Sequence, residues 1–465
     1  MGLCSADVAK LKPVRFLDKA ITVHQIRRPT PAHCRRGGAV LGRGLLLLGF
    51  LGGVTGALAQ GVLTPPSEPY ERPAASLGLT TNVTGGIPPL AGAAVQARGP
   101  FQLGPLDVHP HLLYRFIYGD GIPTGPANHL KTVIQEISPG LLLDWGSHWT
   151  LDYTPTLRLY SSKEFPNGND ESVLLTGKTS YEDWGFNLSQ TYSSSSAPLV
   201  ETEALTEMEN YLTTFQASRQ LGSQLSAQLG LNQSFRLSSV GTINQDIREW
   251  SISPGLNYQV WSRFGAGLSG SAGYDLITPG SDMAFERAQG TMNWQAGDKA
   301  TLAAEAGLEV RQTQGAEMIN PIFNGSLVYR PWEQTAASLT ASRAVTPSFY
   351  ANDVVVNTSI SATLQQRFLR YLTFEISGGY TTTPFIGFAT VGEFTAYPPA
   401  RAPAPAATVQ QNREDYSRFA RVSLGSTFRQ RGTVSIFYSY SDSTSGLAAY
   451  ALTSTQVGIE IGWRY

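Results

Sequence analysis

The chain has 465 residues, with 34 Lys and Arg against 35 Asp and Glu, a formal net charge of −1, two cysteines and 47 glycines. So even a balance excludes the strongly basic surface on which nucleic-acid binding depends, and two cysteines exclude a disulfide framework. No apolar run reaches the roughly 18 residues of a membrane-spanning helix, so any crossing of a bilayer would be made by strands.

Residues 1–59 differ from everything after them. They hold nine Lys and Arg and two acids, then the apolar run Leu45–Leu51 and small residues ending Ala57-Leu58-Ala59. This is the pattern of a secretory signal peptide with an extended basic region. That region is long enough to hold a start codon downstream of Met1, and cleavage would leave Gln60 first. Cys4 and Cys34 would leave with it, giving a cysteine-free chain suited to an oxidising periplasm. Taking nine from 34 and two from 35 leaves 25 basic and 33 acidic residues, a net of −8. Nucleic acid is not an expected partner of such a chain.

Residues 60–103 are rich in Pro, Gly and Ala without a sustained period, the composition of a periplasmic linker or plug-like segment. From 104 to 465 the chain alternates between strand and turn. In 151–159, Leu151, Tyr153, Leu157 and Leu159 alternate with Asp152, Thr154, Thr156 and Arg158; in 225–237, Leu225, Ala227, Leu229 and Leu231 alternate with Ser226, Gln228, Gly230 and Asn232. Period two marks a strand with one apolar face.

Strands are expected at 105–118, 130–145, 148–161, 172–182, 185–194, 206–220, 223–238, 245–260 and 262–277. Nine more are expected at 284–296, 299–312, 318–330, 334–346, 352–367, 371–386, 414–429, 432–443 and 452–465. That is eighteen, or sixteen without 172–182 and 185–194, where alternation is weakest. Many of them exceed the five or six residues usual in soluble domains.

Tight links fall at Trp145 to His148, Asp183 to Gly185, Leu221 to Ser223, Trp261, Gly297-Asp298, Pro331 to Glu333, Phe368 to Arg370 and Gln430 to Gly432. Longer links lie between them, the longest at 387–413 with the proline-rich run Pro398–Ala406. Short turns at one end and longer loops at the other predict an all-β, transmembrane, antiparallel up-and-down β-barrel in the cell outer membrane, with the short turns and both termini periplasmic. Its expected surroundings are outer-membrane lipid and, for insertion, the barrel-assembly machinery. In the closing strand Val457, Ile459, Ile461, Trp463 and Tyr465 form an apolar face, and Trp463 and Tyr465 are its expected assembly signal. Most tryptophans fall near the short turns, where an aromatic girdle belongs.

Chemistry finds little purchase. After residue 59 the histidines are His109, His111, His129 and His148. His109 and His111 have metal-ligand spacing, but Pro110 separates them and no Cys or acidic cluster completes a site. A hydrolase would need a nucleophile, a His and an orienting acid; His148 with Asp152 could be paired on paper, yet no Gly-x-Ser-x-Gly elbow or phosphate loop accompanies them. No enzyme activity, metal or cofactor is expected. The polar faces instead predict a lumen lined by Asp152, Arg158, Arg236, Glu305, Glu309, Arg311, Glu375, Glu460 and Arg464, charges that would set solute selectivity or merely solvate the interior.

Two stretches carry a family likeness. One is Leu103-Gly104-Pro105-Leu106-Asp107-Val108-His109-Pro110 followed by Leu113-Tyr114-Arg115-Phe116-Ile117-Tyr118. The other comprises Asp415-Tyr416-Ser417-Arg418, Phe437-Tyr438-Ser439-Tyr440-Ser441-Asp442-Ser443 and Gln456–Tyr465. Together they resemble outer-membrane β-barrel porins found alongside exopolysaccharide and exosortase systems, departing at Tyr465, where Phe is commoner, and at Glu460, where glycine is often seen. The resemblance implies a channel linked to surface or extracellular polysaccharide export, with polysaccharide or export-system proteins as partners and no catalytic residues. The alternative is a non-conducting structural or surface-binding barrel.

Overall fold

The structure is a computed structural model that describes residues 101–120, 131–163, 165–199, 204–238, 246–278, 280–313, 316–348, 353–369, 371–387, 413–429, 431–445 and 452–465. The proposed signal peptide, most of 60–103, His129 and the interior of loop 387–413 lie outside the described residues.

A short strand β1 (Phe101–Leu103) folds back on β2 (Leu106–Asp120). Then follow β3 (Lys131–Trp145), β4 (Trp149–Tyr160), β5 (Gly168–Tyr181), β6 (Trp184–Leu199), β7 (Ala204–Gln220), β8 (Leu225–Ser238), β9 (Asp246–Trp261) and β10 (Phe264–Thr278). The chain continues through β11 (Met283–Ala296), β12 (Ala300–Thr313), β13 (Ala316–Trp332), β14 (Thr335–Pro347) and β15 (Asp353–Phe368). It finishes with β16 (Leu372–Gly387), β17 (Glu414–Phe428), β18 (Gly432–Ser445) and β19 (Leu452–Arg464). Each of β2 to β19 pairs antiparallel with its sequence neighbours, and β19 pairs back on β2 from Gln456↔Gly119 to Arg464↔His111. The result is a closed barrel of eighteen strands, and closure leaves no edge between first and last.

Register sorts the side chains. In β2, His111, Leu113, Arg115 and Ile117 are buried while Leu112, Phe116 and Tyr118 between them are exposed. In β19, Val457, Ile459 and Ile461 point out and Gln456, Gly458, Glu460 and Gly462 point in. An exterior of exposed Leu, Ile, Phe, Tyr and Trp around a largely polar interior inverts a soluble protein, and it is the arrangement of an outer-membrane barrel. Barrel strands run from 12 to 17 residues. Fourteen residues at about 3.3 Å each, tilted by about 40°, span roughly 35 Å along the membrane normal, more than the apolar band of about 25 Å.

At one end, here the lower, all eight turns are of two to four residues, from 146–148 to 429–431. Gly146 and Gly297 take φ of 60° and 74° there, and Glu182, Leu369 and Arg429 adopt the same left-handed conformation at φ near 50° without glycine's freedom. Trp145, Trp149, Trp184, Trp261, Trp294 and Trp332 are exposed near these turns; Trp250 lies instead toward the upper end. Three upper links, 200–203, 279–282 and 314–315, are as short as the lower turns, because the strands run on further than their alternation suggests.

One hairpin departs from the wall. β14 pairs with β13 only as far up as Phe323↔Arg343, whereas its pairing with β15 continues to Pro347↔Val354. The two tips therefore leave together, and they turn inward. Arg311 Nη2 on β12 donates to Val345 O at 3.3 Å, and Arg236 Nη2 on β8 donates to Pro347 O at 3.3 Å. From β8 to β14 along the wall is six strand spacings, an arc of at least about 29 Å, so the second bond exists only because the tip crosses the lumen. Val345, Val354 and Val356 are buried there with Met208, Ile247, Ile277, Met283 and Ile322. The run Val354-Val355-Val356 breaks the period-two pattern because, away from the wall, both faces of the strand are covered.

Candidate functional site

Among the described residues polar chemistry is concentrated in the lumen, and its charges are organised across strands. Directly paired residues in an antiparallel ladder share a face. Glu460 faces Arg115, Arg115 faces Glu136 and Glu136 faces Arg158 on β19, β2, β3 and β4 in turn. Arg115 Nε donates to Glu460 Oε2 at 2.7 Å, and its Nη1 lies 3.7 Å from Glu136 Oε2. Arg158 Nε donates to Glu136 Oε1 at 3.0 Å and Nη2 to Asp170 Oδ2 on β5 at 2.6 Å. Acid and base thus alternate over five neighbouring strands, including the seam that closes the barrel. All five side chains are buried or nearly so.

A second network lies under the inward hairpin. Arg311 donates from Nη1 to Asp275 and from Nε to Glu309 at 2.9 Å, and Arg287 bonds the other oxygen of Glu309. Arg287 and Arg311 both lie over the ring of Phe285, 4.4 and 5.0 Å from its centroid, a favourable place for a guanidinium out of water. Glu309, Arg311 and Asp275 are 0% exposed. They hold the hairpin's seat and do not border open lumen.

A third cluster explains two prolines. The β3–β4 ladder lapses between Ile137↔Leu157 and Leu141↔Tyr153, where Pro139 and Pro155 lack the N–H a ladder needs. Side chains bridge the lapse: Ser138 and Thr156 hydroxyls lie 2.8 Å apart, His111 Nε2 is 3.0 Å from Thr154 Oγ1, and Thr154 donates to Asp152 at 3.1 Å. His111 Nε2 also lies 3.7 Å from Asp152. So Asp152 is joined to His111, and not to His148, whose ring bonds Ser147 in the exposed turn. His109 lies 3.5 Å from Asp144.

Register places all nine residues anticipated as lumen-lining on inward faces, in contrasting surroundings. Asp152, Arg158, Glu309, Arg311 and Glu460 are committed to the networks above, and Arg236 latches the hairpin. Glu375, opposite Gln365, is half-buried, and Arg464, opposite His111, is exposed at the lower rim. Glu305 is half-buried and has no hydrogen bond or ion pair among the described residues. Trp463 and Tyr465 point outward, with ring centroids 6.1 Å apart. Arg115, Glu136, Asp170, Asp275 and Arg287 were not anticipated. Arg115 between Tyr114 and Phe116 was the available signal, a lone charge flanked by aromatics and therefore on the opposite face.

Some of the interior is apolar. Ile117, Ile134 and Phe437 form a buried inward cluster with Tyr160 against it, contrary to the expectation that apolar positions face lipid. Arg421 lies 4.5 Å over the Phe437 ring.

No family model and no curated protein matches the chain. Solved structures do. The outer-membrane protein OpdK of Pseudomonas aeruginosa is 13% identical with a TM-score of 0.42, covering 77% of this chain and 98% of its own. OccK3 (OpdO) of the same organism is 12% identical at TM-score 0.40, over 77% of this chain and 96% of its own. OccAB3 of Acinetobacter baumannii is 9% identical at TM-score 0.41, over 77% and 99%. Likenesses this distant transfer no solute, partner or activity to this chain.

Proposed function

We propose that this protein is an outer-membrane channel for hydrophilic solutes that works by shape and charge without bond chemistry. One observation carries the reading: a closed eighteen-strand wall that is apolar outside and lined inside by polar side chains held in cross-strand ion pairs. Barrels of this size enclose an aqueous interior unless something fills it. The resemblance of Leu103–Tyr118 and the last strands to barrels beside exopolysaccharide systems supports surface or extracellular polysaccharide as the material exported, with lipid and the barrel-assembly machinery as its surroundings.

A specific feature favours a second reading, a barrel that conducts little at rest: the β14–β15 tip occupies part of the lumen on an apolar seat. Single-channel recording of the purified protein in a planar bilayer decides between them. Steady currents at rest support the open channel, and silence from correctly folded protein supports the blocked one. Release of surface polysaccharide by cells lacking the protein tests the solute: unchanged release removes polysaccharide export.

A further inference from the structure

Where the hairpin tip leaves the wall, nothing described takes its place. Above Phe323↔Arg343, β13 keeps its pairing with β12 up to Thr313↔Ala316 but has no partner on the β14 side. β15 stays with β14 and keeps one register with β16 up to Asp353↔Gly387, lapsing only at Val356 and Asn357, opposite Pro384 and Thr383. The upper wall is therefore broken between β13 and β14, and the upper part of β13 presents an unpaired edge there.

The chain is adapted to this gap. In an antiparallel strand the N–H and C=O of one residue point to the same edge. Pro321 O accepts from Arg343 Nε at 3.1 Å, so residue 321 addresses the gap, and proline offers no N–H that would call for a strand there. Arg343 lies opposite Phe323 and Thr358 on the outward face, and its Nη1 donates to Thr358 Oγ1 at 2.9 Å. A cation on the lipid-facing side costs up to about 2–4 kcal/mol at mid-membrane and much less near the headgroups. It stands at the mouth of the opening.

Both sides of the opening are apolar. Outside, Ile319 is 61% exposed, with Phe323 and Leu327 below it on the same face. Inside, Met318 and Ile322 of the same strand lead to Met283, Ile277 and Ile247, the apolar seat of the tip. Elsewhere along β10 to β12 the inward face is mostly Gly, Ser, Thr, Asn, Gln and charged residues, with Phe285 lying under two guanidinium groups.

We propose that the break between β13 and β14 is a lateral opening through which the hydrocarbon chain of an anionic amphiphile in the outer leaflet reaches the apolar seat of the tip, with Arg343 at the headgroup. The proposal rests on the membrane-spanning reading above.

The test uses protein expressed as the full chain, purified from outer membranes and placed in vesicles of phosphatidylglycerol carrying a diazirine at the end of one acyl chain. After illumination, adducts are mapped by mass spectrometry. Adducts on Met283, Met318 or Ile322 at least fivefold above inward Thr291 and Glu305, which lie behind intact wall, are the expected result. Adducts on outward Leu308 and Ile360 with none in the seat would overturn the opening while leaving the barrel in the membrane. Absence of both would strike the membrane reading itself.

Discussion

Arg115 and Glu460 face each other across β2 and β19, with Arg115 Nε 2.7 Å from Glu460 Oε2. Among the described residues the pair lies on the one barrel ladder that joins strands distant in sequence, and Arg115 also serves Glu136. Arg115→Met would leave two buried carboxylates short of a counter-charge, a loss of about 3–5 kcal/mol. The urea midpoint of the refolded barrel should fall accordingly; a midpoint within error of the parent would remove the seam ladder from the account of stability.

Gly140 faces His111 across β2 and β3, and the His111 ring fills the space that a Cβ at 140 would need. The backbone of Gly140 needs no special conformation, so the constraint is one of room. Gly140→Ala should displace the ring and release Thr154 and Asp152 over a stretch already lacking ladder bonds. Overpacking of this kind costs about 1–3 kcal/mol, measurable as a lower midpoint, with Gly230→Ala, where the nearest atom is 3.5 Å away, as the mild control.

Glu305 and Glu309 are four residues apart on one inward face, yet Glu309 is sealed in ion pairs and Glu305 has no partner among the described residues. Glu305→Gln should reduce preference for cations, read as a reversal-potential shift toward zero in a salt gradient, with little change in stability. Glu309→Gln should lower stability and leave selectivity near the parent value. The opposite assignment would show that the network borders the permeation route.

Val354 is buried in the apolar seat of the hairpin. Val354→Asp would place a carboxylate among Met and Ile side chains, and the tip should leave its seat before that charge is buried, because burying it unpaired costs several kcal/mol. Unitary conductance should then rise severalfold. Equal conductance in parent and variant would mean that the tip does not limit the current.

Leu369 holds φ of 49° in a lower turn and is 72% exposed. A left-handed conformation costs a non-glycine residue roughly 1–2 kcal/mol, against about 0.5–1 kcal/mol of extra chain entropy for glycine. Leu369→Gly should raise unfolding stability by about 0.5–1 kcal/mol, and a fall would mean that the side chain contributes more at the interface than the turn gains.

The wall was legible because each strand repeats every two residues for long enough to cross a bilayer. All eighteen expected strands are present, most within two residues; of the weakly alternating pair, β5 begins four residues earlier than expected and β6 ends five later. What did not show was anything set by contacts between distant strands. Arg115, Glu136 and Arg158 read singly as polar positions; only register brings them into one ladder. The inward hairpin left one local trace, the unalternating Val354-Val355-Val356. Periodicity says that such a run is covered on both faces, but not by what.

The seam also specifies its own register. On the inward face of β19, Glu460 stands between Gly458 and Gly462, while on β2 Arg115 stands between Leu113 and Ile117. In place, Gly458 makes room for the Phe437 ring and the charges meet. A slip of two residues either way would set Glu460 against Leu113 or Ile117 and Arg115 against a glycine. Joining residues 345 apart costs roughly 5 kcal/mol in loop entropy, so the last pairing to form is the one with most to gain from rejecting a mismatch. A single lock-and-key triplet on each strand lets the barrel close in only one alignment.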